Sequence, residues 1–140
     1  MSDKFFLDTN IFVYSFDRDS ASKARRATQL IHQAVATRKG TVSYQVVQEF
    51  FNVALRRFAQ PMTTGEAEQY LGTVFRPLLA VQSSQALYSE ALRLTGQHHL
   101  SWYDSLIVAA AMEAGCSRLY SEDLQSGRQF GDLRIENPFA

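Results

Sequence analysis

Short strand-like runs alternate with longer amphipathic segments along this chain, and that alternation is the strongest constraint on its fold. Residues 4–7 and 41–43 have the length and composition of short buried strands. Between them, apolar residues recur at helical spacing through residues 22–37, and Gly40 is predicted to end that helix. Strands joined by helices form a parallel sheet that is covered on both faces. The pattern therefore predicts an α/β fold.

The same alternation continues to the end of the chain. Further helices are predicted over residues 44–58, 64–76, 84–95 and 101–113, with Pro77 and Gly96 as helix-ending residues. Further strands are predicted at residues 78–81, 118–120 and 133–135. The sheet should thus be mostly parallel, with about five short strands. A chain of 140 residues can bury one core of its own, so residues 1–140 are expected to form a single domain.

Composition and charge exclude several classes of protein. The chain has 14 basic and 14 acidic residues, which argues against a protein that coats polyanions through a basic excess. The longest N-terminal apolar run is interrupted at Asp8, and no stretch approaches the ~20 apolar residues of a membrane span. A single cysteine, Cys116, excludes an internal disulfide and a cysteine zinc cluster. We expect a cytoplasmic protein with no membrane partner.

Two acids lie where a parallel sheet would place a ligand site. Asp8 directly follows the first strand, and ligands of such sheets bind at the carboxyl ends of the strands. An Asx turn or a helix cap would also explain Asp8. Glu49 lies three residues after Val46 and four before Val53, so it shares a helix face with apolar residues. A charge on such a face is costly without compensation, although Glu49 could also lie at the edge of the stripe.

Two further acids follow the same rule. Asp104 lies in the first turn of a helix whose next seven residues, 105–111, are apolar on nearly every side. A helix N-terminus favours an acid for electrostatic reasons alone, so a structural role is open. Asp123 follows the strand at residues 118–120, where it could instead cap the next short segment. Its neighbour Glu122 is an equally acidic alternative.

Together the four acids indicate a cation site. Crowded carboxylates repel one another and raise one another's pKa unless a cation is present. An all-oxygen ligand set suits Mg²⁺ or Mn²⁺. Such an ion activates water and stabilises a leaving oxyanion, as phosphodiester hydrolysis requires. The set comprises Asp8, Glu49, Asp104 and Asp123.

Four segments resemble the motifs of PIN domains, in the order that the family has them. Residues 6–11 (FLDTNI) resemble the opening motif, and residues 43–50 (SYQVVQEF) resemble the second acidic motif. Residues 102–111 (WYDSLIVAAA) and 120–125 (YSEDLQ) resemble the third and fourth. The similarity extends over essentially the whole chain. Its compact length is most similar to the VapC-type toxins of type II toxin–antitoxin pairs.

The resemblance implies a three-layer α/β/α fold and an endoribonuclease that uses one or two Mg²⁺ or Mn²⁺ ions. It also implies a homodimer inhibited by a VapB-like antitoxin. By motif, the metal-binding and catalytic acids would be Asp8, Glu49, Asp104 and Asp123.

Other residues are assigned supporting roles by the same resemblance or by their charge. Thr9, Asn10 and Ser121 would orient the acids or a metal-bound water. The fourth motif departs from the Thr-x-Asp pattern of many relatives, which leaves Glu122 as an alternative ligand to Asp123. Candidate contacts to RNA phosphates are Arg25, Arg26 and Arg56, although such arginines are more often solvated residues of a helix face.

Other functions compete with a ribonuclease toxin. A PIN-like module could bind RNA or protein without catalysis, although such modules typically lose acids that this chain retains. A PIN nuclease could process RNA or cleave DNA without being a toxin. An aspartyl-phosphate phosphatase with Asp8 as nucleophile usually has a second aspartate two residues later, where this chain has Asn10.

Overall fold

The computed structural model describes residues 2–140, and its strands form one six-stranded sheet in the order β3-β2-β1-β4-β6-β5. The strands are β1 (Phe5–Leu7), β2 (Gly40–Ser43), β3 (Leu79–Val81), β4 (Arg118–Tyr120), β5 (Gln129–Phe130) and β6 (Leu133–Glu136). All neighbouring strands are parallel except β5 and β6. The predicted mostly parallel sheet is confirmed. It has one strand more than expected, because β5 is only two residues long and leaves no periodic pattern.

Helices cover this sheet on both faces, as an α/β architecture requires. They are α1 (Thr9–Tyr14), α2 (Ala21–Thr37), α3 (Tyr44–Ala54), α4 (Thr64–Tyr70), α5 (Arg76–Leu78), α6 (Gln85–His98) and α7 (Trp102–Glu113). A π-helical turn, Leu71–Phe75, joins α4 to α5. All three residues of β1 are buried. Because successive side chains of a strand point to opposite faces, both faces of the sheet are covered at β1. Within residues 2–140, no helix is long and apolar enough to cross a membrane.

Several helix ends differ from the prediction. Helix α2 ends at Thr37 as predicted, but the left-handed residue after it is Arg38, and Gly40 instead begins β2. Gly96 lies inside α6, whose left-handed cap is His99. Glycine is the usual residue at a left-handed helix cap, but in this chain Arg38 and His99 adopt that conformation. The third predicted helix also continues past Pro77, which is tolerated at the start of α5 because a helix's first amides need no partner.

The helix α3 ends at Ala54, four residues earlier than predicted. Phe58, beyond that end, still packs on the aromatic cluster around Phe50, with 6.0 Å between ring centroids. Phe50 also stacks on Tyr70 at 5.0 Å, which fixes the α4 region against α3. The apolar periodicity thus identified the partly buried Phe58 beyond the point where the helix stops, whereas Leu55 is exposed.

The strand order creates a topological switch point beside β1. The chain passes from β1 to β2 and β3 on one side, and β4 then returns to pair with β1 on the other. Leu7 is in register with Tyr120, and the amide of Asp8 donates to the carbonyl of Tyr120 at 3.1 Å. Crevices for ligands form at such points, outside the carboxyl ends of the strands. The segments after β1 and β4 therefore meet there.

A close contact between α2 and β2 explains why residue 40 is a glycine. A Cβ placed on Gly40 would lie 2.1 Å from Cβ of Ala34 and 2.7 Å from its Cα. Backbone atoms cannot move aside as a flexible side chain can. No side chain larger than hydrogen is therefore accommodated at the start of β2.

We expect Gly40→Ala to lower the free energy of unfolding by about 1–3 kcal/mol or more, since an overpacked core forces backbone shifts. The matched control is Gly96→Ala, where a Cβ meets nothing within 4 Å inside a helix. That control should be neutral or should stabilise by up to about 1 kcal/mol. Urea unfolding of both variants measures the effect. Equal stability of the two would contradict the close packing.

Candidate active site at the carboxyl edge of the sheet

A cleft of about 230 Å³ opens at the switch point, and all four predicted acids line it. Its lining residues are Asp8, Thr9, Asn10, Val13, Gln45, Glu49, Val53, Tyr103, Asp104, Ile107 and Asp123. They come from the segments after β1 and β4 and from helices α1, α3 and α7. The fold thus brings together residues that are up to 115 positions apart in the chain.

Asp8 is the buried centre of the cleft. It is the N-cap of α1, and its Oδ1 accepts a hydrogen bond from the Thr9 amide at 2.7 Å. Its Oδ2 accepts from the Ser121 hydroxyl at 2.8 Å, across the β1–β4 pair. Burial raises the pKa of Asp8 to about 6, against the lowering effect of these bonds, and the charges of Glu49 and Asp123 raise it further. The carboxylate is therefore costly to keep ionised without a cation.

Glu49 is held in the cleft by Thr9. The Thr9 hydroxyl donates to Oε1 of Glu49 at 2.7 Å. Thr9 is itself buried, so this bond is shielded from competing solvent. One residue thus contacts two acids, Asp8 through its amide and Glu49 through its hydroxyl. Glu49 lies one helical turn from Gln45 and Val53, which also line the cleft.

Asp104 enters the cleft from the N-terminal turn of α7. Its amide donates to Oγ of the N-cap residue Ser101 at 3.2 Å. Residues 105–111 of this helix are all buried, which confirms the prediction of a central helix. The first turn is held in place by that packing. Asp104 therefore sits at the solvent-facing end of a rigid element.

The structure separates Asp123 from Glu122. Asp123 lines the cleft, and its Oδ2 accepts from Nδ2 of Asn10 at 2.8 Å. Glu122 does not line the cleft and instead accepts from Lys23 Nζ at 2.7 Å and from the Tyr14 hydroxyl at 2.6 Å. These partners, Lys23 first, lower the pKa of Glu122. Asp123 is the acid of this pair with access to the site.

The three candidate RNA-contacting arginines lie outside the cleft lining. Arg25 is exposed on α2, beside a shallow surface depression with Ala24 and His32. Arg26, also on α2, donates from Nε to the Pro138 carbonyl at 3.4 Å. Arg56 is exposed just beyond the end of α3. The structure does not bring these side chains together with the acids.

Gln45 and Tyr103 line the cleft, although the sequence motifs that contain them assign neither residue a role. Gln45 is buried, and its Nε2 donates to the Tyr103 carbonyl at 3.2 Å. The spacing of Gln45 and Glu49, four residues apart on one helix, placed both on one face and was a usable signal. Tyr103 is 64% exposed, an unusual position for a large aromatic side chain at the mouth of a site.

The charge of the cleft favours a cation. No lysine or arginine lines it, and no ion pair within residues 2–140 involves any of its four acids. The donor set is entirely oxygen, which matches Mg²⁺ or Mn²⁺. In the described part of the chain, no three aspartate, glutamate, histidine or cysteine side chains lie close enough together to hold a metal ion. The lining supplies suitable ligands, and cation binding would require their side chains to draw together.

The fold and the cleft define an α/β protein with a carboxylate-lined site at a topological switch point. More particularly, the chain belongs to the PIN domain family, whose model matches residues 5–128. The family suggested by the four motifs is thereby confirmed. A comparison with curated protein sequences finds no match.

Solved structures with this fold include proteins of toxin–antitoxin systems. A toxin–antitoxin complex from Klebsiella pneumoniae superposes with a TM-score of 0.66 at 18% identity, covering 96% of this chain and 98% of that one. VapC20 from Mycobacterium tuberculosis, a sarcin–ricin loop cleaving toxin, gives 0.64 at 21%, covering 86% and 90%. VapBC2 from Rickettsia felis, bound to a promoter DNA fragment, gives 0.62 at 17%, covering 95% and 97%. At these identities the likeness establishes the fold.

We expect Asp8→Asn to stabilise the cation-free protein at pH 7.5, by about 1–3 kcal/mol. The amide can still accept from Thr9 and can donate to Ser121, while the cost of the buried charge disappears. Because the pKa of Asp8 is about 6 when folded and lower when unfolded, the folded wild type binds more protons between these values. The contribution of Asp8 to the stability of the wild type therefore rises as the pH falls. The extra stability of Asp8→Asn should shrink as the pH is lowered from about 6 to about 4.

Urea unfolding in EDTA at several pH values measures this difference. The two proteins share every other titratable group, so the comparison isolates position 8. A stability difference that does not change with pH would show that Asp8 titrates normally in the folded protein.

Proposed function

We propose that this chain is a Mg²⁺- or Mn²⁺-dependent endoribonuclease and the toxin of a VapBC-type pair. The observation that carries the proposal is the cleft itself. Four carboxylates from four segments line one small crevice, and none of them is neutralised by a basic side chain in the described part of the chain. Such a concentration of uncompensated acids at a switch point is typical of a site for a divalent cation.

The residues that would hold one or two cations are Asp8, Glu49, Asp104 and Asp123. A bound ion would supply an activated water and stabilise the charge that develops on the cleaved phosphodiester. The chain's own part is to fix the carboxylates in a partly dry crevice. Asp8 is the deepest, Asp123 is exposed at the rim, and the other two are half-buried.

Three neighbouring residues would keep the acids in orientation. Ser121 and Thr9 hold the two oxygens of Asp8, and Asn10 holds Asp123. Hydrogen bonds of this kind restrict the rotamers of metal-binding carboxylates and tune their basicity. The other acidic residue of the fourth motif, Glu122, has a different task here, because Lys23 and Tyr14 hold it away from the cleft.

An RNA substrate is proposed from family membership and from the relative that cleaves the sarcin–ricin loop. Arg25, Arg26 and Arg56 remain proposed phosphate contacts. Their alanine variants should weaken RNA binding and reduce its dependence on salt, and unchanged binding would remove them from the site.

A VapB-like antitoxin is proposed from the neighbouring toxin–antitoxin structures, and a homodimer from the resemblance of the four motifs to VapC-type toxins. Co-expression of the chain with the product of an adjacent small reading frame tests the first partner by co-purification. Sedimentation equilibrium of the free protein tests the second. Failure of either measurement removes that partner and leaves the nuclease proposal standing.

Wild-type protein with Mn²⁺ or Mg²⁺ should cleave RNA, and EDTA should abolish the cleavage. Asp8→Asn should lower the rate by at least about 100-fold, because loss of a cation ligand removes several kcal/mol of transition-state stabilisation. The variant should remain folded by circular dichroism. The measurement compares structured and unstructured RNA substrates with matched DNA. Equal cleavage by both proteins would indicate a contaminant, and cleavage of DNA alone would reject the ribonuclease.

The adjacent acids provide a matched control within the same experiment. Asp123→Asn should impair cleavage strongly, whereas Glu122→Gln should retain most of it, since only Asp123 lines the cleft. Glu122→Gln should instead weaken the contact to Lys23, with a small effect on stability because that pair is partly exposed. The reverse ranking of the two variants would assign the fourth ligand to Glu122.

A further inference from the structure

Gln45 carries a buried polar atom that the fold leaves without a partner. The side chain is 5% exposed, and it lines the acidic cleft. In the described part of the chain, Oε1 of Gln45 is one of two buried side-chain nitrogen or oxygen atoms with no hydrogen bond. The other, Oγ of Ser43, belongs to a residue outside the cleft lining. A buried acceptor without a donor costs free energy, so Gln45 is retained against a local penalty.

The orientation of the carboxamide follows from its one contact. Nε2 lies 3.2 Å from the carbonyl oxygen of Tyr103, and a carbonyl can only accept. The donor end of the amide therefore points to Tyr103, and Oε1 is the free end. Rotating the amide by half a turn would set two acceptors against each other. The unpaired oxygen is thus fixed by chemistry.

We propose that Oε1 of Gln45 accepts a hydrogen bond from a water molecule carried by the divalent cation. This inference rests on the proposed function. Mg²⁺ keeps several of its waters when bound by protein, and each such water is a donor that needs an acceptor. Gln45 is one helical turn before Glu49 and its amide is bonded to the residue before Asp104. Gln45 therefore links α3 to α7, the helices that carry two of the proposed cation-binding acids.

Cation binding would also explain why solvent does not reach Oε1 in the cation-free arrangement. Solvent does not reach this oxygen in the cation-free arrangement, and the acids do not yet converge on a metal position. Cation binding must move the lining side chains, and that movement would expose Oε1 to the ion's hydration shell. A neutral acceptor is suited to this position because a fifth carboxylate would add repulsion.

Isothermal titration with Mn²⁺ alone tests the proposal without reference to activity. Gln45→Leu should weaken Mn²⁺ binding by about tenfold or more, as loss of an outer-sphere partner usually does. Gln45→Glu keeps an acceptor but loses the donor to Tyr103, so it should bind Mn²⁺ more tightly than Gln45→Leu. Gln45→Met gives the same test as leucine if the leucine variant does not fold.

The controls are Gln48→Leu and Gln48→Glu, which make the same changes at an exposed position of the same helix. They correct for the added charge and for general effects on α3. Equal weakening by Gln45→Leu and Gln45→Glu would overturn the proposal, since Gln45 would then act only by holding Tyr103. Unchanged binding by Gln45→Leu would also overturn it. If wild type itself binds no Mn²⁺, the proposed metal site fails, and this role fails with it.

Discussion

The parallel pairing of β1 with β4 is the constraint on which the site depends. It sets Leu7 opposite Tyr120, so the next residue of each strand, Asp8 and Ser121, meet at the carboxyl edge. The resulting bond between the Ser121 hydroxyl and Asp8 joins residues 113 positions apart. Without this pairing the fourth motif would have no relation to the first. The position of Asp123 beside Asn10 follows from the same register.

Stability and function oppose each other at Asp8. Its carboxylate is buried, and its two hydrogen bonds do not compensate the loss of water, since burial still raises the pKa to about 6. A protein selected only for stability would place a neutral residue here. Such a cost persists where the charged form has a task, and sites of this kind are commonly less stable than they could be. A cation would relieve the penalty by the same interaction that makes the site useful.

Much of this arrangement was predictable from the sequence, and the remainder depended on tertiary context. The mostly parallel sheet, the central helix after Asp104 and the family followed from periodicity and motifs, because burial on both faces leaves a clear apolar pattern. The end of α2 at Thr37 was predicted correctly, but its capping residue and the end of α6 were not, since Arg38 and His99 adopt the left-handed conformation expected of glycine. The choice between Asp123 and Glu122 could not be made, because it depends on Lys23, a residue 99 positions from Glu122.

The Asp8-Thr9-Asn10 segment connects three of the four acids of the site. The backbone amide of Thr9 donates to Asp8 and the Thr9 hydroxyl donates to Glu49. The side-chain amide of Asn10 donates to Asp123. The first bond is local and the other two reach distant parts of the fold, so one turn of backbone sets the relative positions of three carboxylates. Asp104 alone is positioned independently, by α7 and by the link from Gln45 to Tyr103. A change of the tripeptide should therefore disturb several ligands together, whereas loss of the Gln45–Tyr103 bond should disturb Asp104 first.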